Sequence, residues 1–505
     1  MNRIGRMTGQ SVVRRVHCPT LAAFLALLFA SCGGNNNSTL QSSALANRCA
    51  VPRPGVDVQG SVADEKNWLR AWTNELYLWY REVPQLDPAA YATPQAYFAV
   101  LKTTAVTPSG NPKDRFHFLI PTAEWELLSQ SGVEAGYGVQ WVVLARTPPR
   151  KVVAAYTEPG SPAATQGSIA RGAEVLAVDG VDVVNGSDTT TLNAGLFPSA
   201  ANQTHTFTIK DANGTTRTNV QVTSANVQST PVPTVTRIGS GSVGYILFND
   251  HIATSETQLI AAINTLNQAP KVTDLVLDIR YNGGGFLAIA SELAFMIAGP
   301  AATAGKTFEK LTFNDKYTTI DPVTGQPLTP EPFHNTAVGL TAPRGQALPS
   351  LGLSRVFVLT GPGTCSASES IINSLRGVDV QVIQVGSQTC GKPYGFYPFD
   401  NCGTTYFTIQ FQGVNAKGFG DYSDGFIPAS TLPAGLPGCQ VADDFLHALG
   451  DPAEARLSAA LQYLGNGTCP PATAAAAPGR VALSAASEPE LVVKSAWRQN
   501  RIVRR

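Results

Sequence analysis

From about residue 236 the chain alternates short apolar runs with amphipathic segments, and this alternation limits the possible folds more than any other feature. Residues 243–248, 275–279, 356–360 and 380–385 are runs of strand length rich in Val, Ile and Leu. Between them, residues 255–266 place Leu259, Ile260, Ile263 and Leu266 on one helical face, with Ser255 and Gln258 at capping-box spacing. Residues 286–298 and 368–376 read as two further helices. Strand–helix–strand order predicts an α/β core over 236–450, a mixed or parallel sheet wrapped by helices. Residues 300–350, rich in Pro, Gly and Thr, read as a long excursion from that sheet.

The rest of the chain differs. Residues 62–130 read as a small helical region, its core supplied by Trp68, Trp72, Leu76, Trp79, Tyr91, Tyr97, Phe98 and Leu101. Residues 133–228 are β-rich, with strands expected at 139–144, 151–156 and 204–209 between Gly, Pro and Asn. An Ala/Pro tract opens 470–505, which ends on Lys494, Arg498, Arg501, Arg504 and Arg505 and is expected to be disordered. At 505 residues, 43% of them hydrophobic, the chain can build two or three cores. Lys+Arg and Asp+Glu both number 36, so no net field favours nucleic acid.

The start of the chain reads as a targeting segment. Arg3, Arg6, Arg14 and Arg15 precede a short apolar run that ends at Leu28-Phe29-Ala30-Ser31-Cys32. This resembles a bacterial lipobox, which implies that Cys32 is lipidated and residues 1–32 are removed. Residues 33–61 would be a tether, and the mature chain would sit in the bacterial cell envelope. It would be held at the periplasmic side of the outer membrane by lipid alone. Six cysteines follow (Cys49, Cys365, Cys390, Cys402, Cys439 and Cys469), and in an exported chain they suggest up to three disulfides. No Cys-x-x-Cys pair points to a metal, and no cofactor is expected.

Three strand ends carry the chemistry. After 356–360 comes Thr364-Cys365-Ser366-Ala367-Ser368-Glu369, where helix-start N–H groups face the Ser366 hydroxyl. After 380–385 comes Thr389-Cys390-Gly391-Lys392, a Lys in an apolar turn. To act as a base it must be neutral, so its ordinary pKa near 10.4 must fall by roughly three, at a cost of about 4 kcal/mol. After 275–279 comes Asn282-Gly283-Gly284-Gly285, a turn whose backbone N–H groups can approach a carbonyl oxygen.

Taken in order, these motifs resemble the carboxyl-terminal-processing (tail-specific) serine peptidases, which show an Asp-Leu-Arg-x-Asn-x-Gly-Gly turn, then Ser-Ala-Ser-Glu, then Gly-Lys. The resemblance spans roughly 65–450. It implies a crotonase-like (ββα) catalytic core with Ser366 as nucleophile, Lys392 as general base and Glu369 as the accompanying acid. The N–H groups of Ala367 and of Gly284 or Gly285 would form the oxyanion hole. It also makes 133–228 PDZ-like, with Gly136, Tyr137, Gly138 and Val139 as a loop that captures the C-terminal carboxylate of a protein or peptide substrate. Two departures stand out. The Ser-to-Lys spacing is one residue longer than usual, and Phe396 stands where the family commonly has Gln, leaving Gln410 or Gln412 as candidates to orient Lys392. A peptide-binding protein that kept this fold without turnover is the alternative class. A Ser-His-Asp hydrolase fits less well, because none of the six His lies in these motifs.

Overall fold

The computed structural model describes residues 41–429, 431–471, 491–492 and 501–503. The expected signal segment, Cys32 and the start of the tether lie outside the described residues. From residue 41 the expected tether is folded. Cys49 is joined to Cys402 across 353 residues of sequence.

Helix α1 (Val62–Leu76) starts at Ser61, whose hydroxyl accepts from the Asp64 N–H while Asp64 accepts from the Ser61 N–H. Its Trp68 and Trp72 stack at 5.2 Å and bury against Phe98 of α2 (Pro94–Phe98) and against Tyr406. The aromatic stripe is a core, as its spacing predicts. Helix α3 (Thr122–Ser131) leads into β1 (Val133–Gly136). One sheet then orders β2 (Val139–Ala145), β3 (Lys151–Thr157), β4 (Glu174–Val178), β5 (Thr204–Lys210) and β6 (Thr216–Thr223), with helix α4 (Thr189–Leu196) against it. Strand β7 (Ala225–Gln228) returns to pair with β1. Trp141, Val175, Phe207, Ile209 and Leu192 fill this core.

The sheet of the α/β core is six-stranded, in the order β8 (Thr234–Ile238), β9 (Val243–Leu247), β10 (Asp274–Asp278), β11 (Arg355–Thr360), β12 (Gln381–Gly386), β13 (Gly438–Gln440). Only β8 runs antiparallel to its neighbour. The strands thus advance across the sheet in chain order. Right-handed crossovers then put α5 (Ser255–Asn267), α6 (Leu287–Thr303) and α7 (Ala367–Gly377) on the same face. Leu275, Leu277, Val356 and Val358 point into that face with Leu259, Leu293 and Ile371. The alternate residues Val276, Phe357, Leu359 and Ile383 pack against α8 (Ala455–Asn466) on the other face. Burial on both faces explains why these strands read as unbroken apolar runs, each large side chain contributing about 1.5–3 kcal/mol.

Three expectations are corrected. No capping box opens α5: Ser255 is already helical, its hydroxyl donates to Asp250 O, and Gln258 accepts from the Val232 N–H. Helix α6 does not stop at 298; it continues across a kink at Gly299 (φ 71°) to Thr303. The tail is not wholly irregular, because β14 (Leu491–Val492) pairs with β2 and β15 (Arg501–Ile502) pairs with Gly285 and Phe286. The physical reason is that both partners present open strand edges. Among the described residues, no helix is long and apolar enough to cross a membrane.

The excursion after α6 is pinned by two buried carboxylates. Glu256 accepts from the N–H groups of Gly339, Thr341 and Ala342, and Glu292 accepts from that of Val338. Burial, with the Glu256 charge beside it, pushes the Glu292 carboxyl up to about 8. A carboxyl raised on folding holds its proton more tightly in the folded chain. Its stabilisation is therefore present at low pH and is lost as pH climbs from about 4.5 towards 8, by up to about 1.4 kcal/mol per pH unit. Glu292→Gln should remove this loss. Unfolding titrations at pH 5 and 9 should show the wild type falling by a few kcal/mol relative to the variant, and a pH-independent difference would contradict the assignment.

Candidate active site

Strands β10, β11 and β12 lie side by side and parallel, so the turns at their carboxyl ends open onto the same edge of the sheet. Each turn carries one of the three sequence motifs. Ser366 is the N-cap of α7 with φ 60° and ψ −112°, a strained conformation for a side-chain-bearing residue, costing about 1–3 kcal/mol. Cys365, just before it, is bonded to Cys390, two residues before Lys392, with their Cα atoms 5.1 Å apart. The nucleophile turn and the lysine turn are stapled together.

A single carboxylate completes the join. Glu369 accepts from the N–H groups of Ser366 (2.9 Å), Gly391 (2.8 Å) and Lys392 (2.8 Å) and from the Thr389 hydroxyl (2.6 Å). Burial raises its pKa, and these four donors oppose that rise. Sequence reasoning places Glu369 beside the chemistry as an acid; here it holds the backbones of both reactive residues in place. Glu369, Cys365 and Cys390 cluster closely enough for a metal, but both sulfurs are spent in the disulfide.

Lys392 is fully buried, its Nζ 4.7 Å from the centre of the Phe116 ring and 4.5 Å from that of Phe396. Phe396 thus walls the amine with its ring. Neither candidate for orienting Lys392 does so: Gln410 bonds the backbone of Tyr397, and Gln412 donates to Gly420 O. The Arg115 guanidinium donates to Cys390 O, so residues next to α3 also buttress the lysine turn.

The glycine turn is more committed than its sequence suggests. Gly284 N–H donates to Asn282 Oδ1 (3.0 Å), which corrects the expectation that it is a ready oxyanion donor. Ala367 N–H, in the first turn of α7, and the Gly285 backbone remain at the site. Gly285 has φ 141°, and a Cβ there would meet His251 O at 2.3 Å. His251 went unnoticed in the sequence because it follows β9, outside the motifs. Its Nδ1 lies 2.9 Å from Asn282 Oδ1, and its carbonyl accepts from Phe286 N–H.

Beneath the turn is a buried ion cluster. Arg280 grips Glu454 with two hydrogen bonds and also reaches Asp278 and Asp443. Arg171, from the β-rich module, donates to the same Asp443 and to the Tyr281 hydroxyl. Burial would raise the Asp443 pKa, but Arg456, Arg171 and Arg280 together hold it well below the usual carboxylate range.

In the β-rich module, Tyr137 is core: its ring meets Phe207 edge-on, and its hydroxyl donates to Gly195 O. Gly138 (φ 73°) lies against Ser161, where a Cβ would fall 2.4 Å from the serine Cβ. Gly136, Tyr137, Gly138 and Val139 line a cavity of about 340 Å³ that Glu134 and Glu158 also border.

Comparison with known proteins gives a family match. Residues 242–400 match the model of peptidase family S41, and residues 64–116 match that of the peptidase S41 N-terminal domain. Among solved structures, a protein described as a candidate S41 protease from Bacteroides fragilis NCTC 9343 is 23% identical, with a TM-score of 0.59, covering 79% of this chain and 97% of that one. A photosystem II D1 C-terminal processing protease is 20% identical, with a TM-score of 0.42, over 75% of this chain and 94% of that one. The first likeness is one of fold. No curated protein matches the chain. A serine-type peptidase, a hydrolase of protein or peptide substrates, is what the family matches support.

The staple generates a prediction. Replacing Cys365 and Cys390 together by Ser reopens a loop of about 25 residues and should cost about 3 kcal/mol of stability. Peptide hydrolysis should fall at least tenfold because the Ser366 and Lys392 turns come apart. Full activity in the double variant would show that Glu369 alone suffices.

Proposed function

We propose that this chain is a serine endopeptidase of the tail-specific type, working by a Ser366–Lys392 dyad, exported and lipid-anchored through Cys32. The observation that carries the reading is the double join, disulfide and carboxylate, between the turns bearing these two residues.

In this reading the Ser366 hydroxyl attacks the scissile carbonyl carbon and its proton passes to the neutral Lys392 amine. Lys392 Nζ lies between the Phe116 and Phe396 rings, whose faces would meet the ammonium formed as it takes up the proton. Negative charge on the carbonyl oxygen is met by the N–H groups of Ala367 and Gly285. Lys392 returns the proton to the leaving amine as the C–N bond breaks, giving a Ser366 ester. A water then attacks the ester, its proton again going to Lys392. The carboxylic product leaves as the proton returns to the Ser366 oxygen. Glu369 is a positioning residue throughout. The PDZ-like module, residues 133–228, would recruit substrate tails at Gly136, Tyr137, Gly138 and Val139 by pairing them with β2.

Ser366→Ala and Lys392→Ala should each lower hydrolysis of an unfolded protein by at least about 10³-fold while leaving the fold intact. A serine-directed phosphonate should label the wild type at Ser366 and neither variant. A chain that binds peptides but is never labelled would be the inactive binding protein instead. Because the base must be neutral, the rate should rise with pH through an apparent pKa well below 10. A profile governed by a group near 6.5 would point to a histidine, with His251 the first to replace.

A further inference from the structure

The last described residues lie in two places that suit a peptide ligand. Strand β14 pairs antiparallel with β2, Leu491 opposite Val143 and Val492 opposite Val142. The other edge of β2 is taken by β3, so β14 occupies the open edge. Its direction points the chain towards the Val139 end of β2, where the 340 Å³ cavity lies.

Strand β15 then pairs in parallel with the glycine turn, Arg501 opposite Gly285 and Ile502 opposite Phe286. On its other side Ile502 bridges Phe396, whose carbonyl accepts from Val503 N–H at 3.2 Å. The short strand therefore lies between the turn assigned to the oxyanion hole and the residue whose ring rests on Lys392. Ile502 is buried beside Trp125, His251 and Phe286. Ser366 and Lys392 are both 0% exposed, so an incoming peptide cannot reach them in this arrangement.

We propose that the end of the chain is a built-in peptide ligand in cis, with residues 491–492 filling the β2 edge and residues 501–503 the Gly285–Phe396 cleft, in competition with substrate. The proposal rests on the peptidase reading for its effect on turnover, but the occupancy itself can be measured by binding alone. A tethered segment acts at an effective concentration on the order of 1 mM. An intrinsic Kd of about 0.1 mM would then keep it seated in roughly nine chains of ten, weakening an outside peptide's apparent affinity about tenfold.

The test uses the full chain. Ile502→Asp places a carboxylate among Trp125, Ile252 and Phe286 and close to Asp250, and should unseat the segment; Ile502→Val should not. Val503→Pro, which deletes the N–H given to Phe396, is a second way to unseat it. Calorimetric titration with a synthetic peptide of residues 488–505 should show Ile502→Asp and Val503→Pro binding about tenfold more tightly than the wild type and Ile502→Val. Hydrolysis of a test peptide should rise by a similar factor in the two unseated variants, and the synthetic peptide should inhibit them. Equal peptide affinity in the wild type and both unseated variants would overturn the proposal. If no form hydrolyses peptide, the peptidase reading fails while the titration still decides the occupancy. Loss of residues 491–503 from the purified wild type, but not from Ser366→Ala, would also overturn it, since a segment cut away cannot remain as a competitor.

Discussion

The arrangement depends on Arg280. This guanidinium is fully buried directly under the glycine turn, and it is bound to Asp278 at the end of β10, to Asp443 after β13, and to Glu454 at the start of α8. Asp443 in turn receives Arg171 from the β-rich module. Removing one partner from such a cluster leaves an uncompensated charge in the interior, typically a loss of 3–5 kcal/mol. Three segments far apart in sequence are thereby fixed around one side chain. The glycine turn takes its position from them, and the module's orientation to the sheet edge is set by the same charges.

Above that base, precision at the sheet edge comes from groups that do no chemistry in the proposed mechanism. Glu369 gathers three backbone N–H groups and a hydroxyl, so that Ser366 can be held at a positive φ it would not adopt alone. The aromatic rings of Phe116 and Phe396 come from different parts of the chain and meet only around Lys392. A substitution at Phe396 therefore changes the wall around the amine rather than a hydrogen bond to it.

Much of this was legible in the sequence, for identifiable reasons. Strands buried on both faces show as unbroken apolar runs, and 275–279, 356–360 and 380–385 fall on observed strands to within a residue or two. The motifs became adjacent because parallel strands in chain order bring successive turns to one edge. Other features had no local signal. Gly284 spends its N–H on the Asn282 side chain, which the spacing of glycines does not reveal. Ser255 looked like a cap but donates to Asp250 O instead, because the preceding turn is more tightly folded than a pattern can show. His251 and Phe116 matter through contacts made at long range. The tail's composition suggested disorder because pairing to an exposed edge uses backbone groups, which composition does not record.

The bond between Cys365 and Cys390 has a further consequence. Were it reduced, the Ser366 and Lys392 turns would be held together by hydrogen bonds alone, those accepted by Glu369 and that from Cys390 N–H to Thr364 O. The state of one covalent bond thus decides how firmly the two turns are joined.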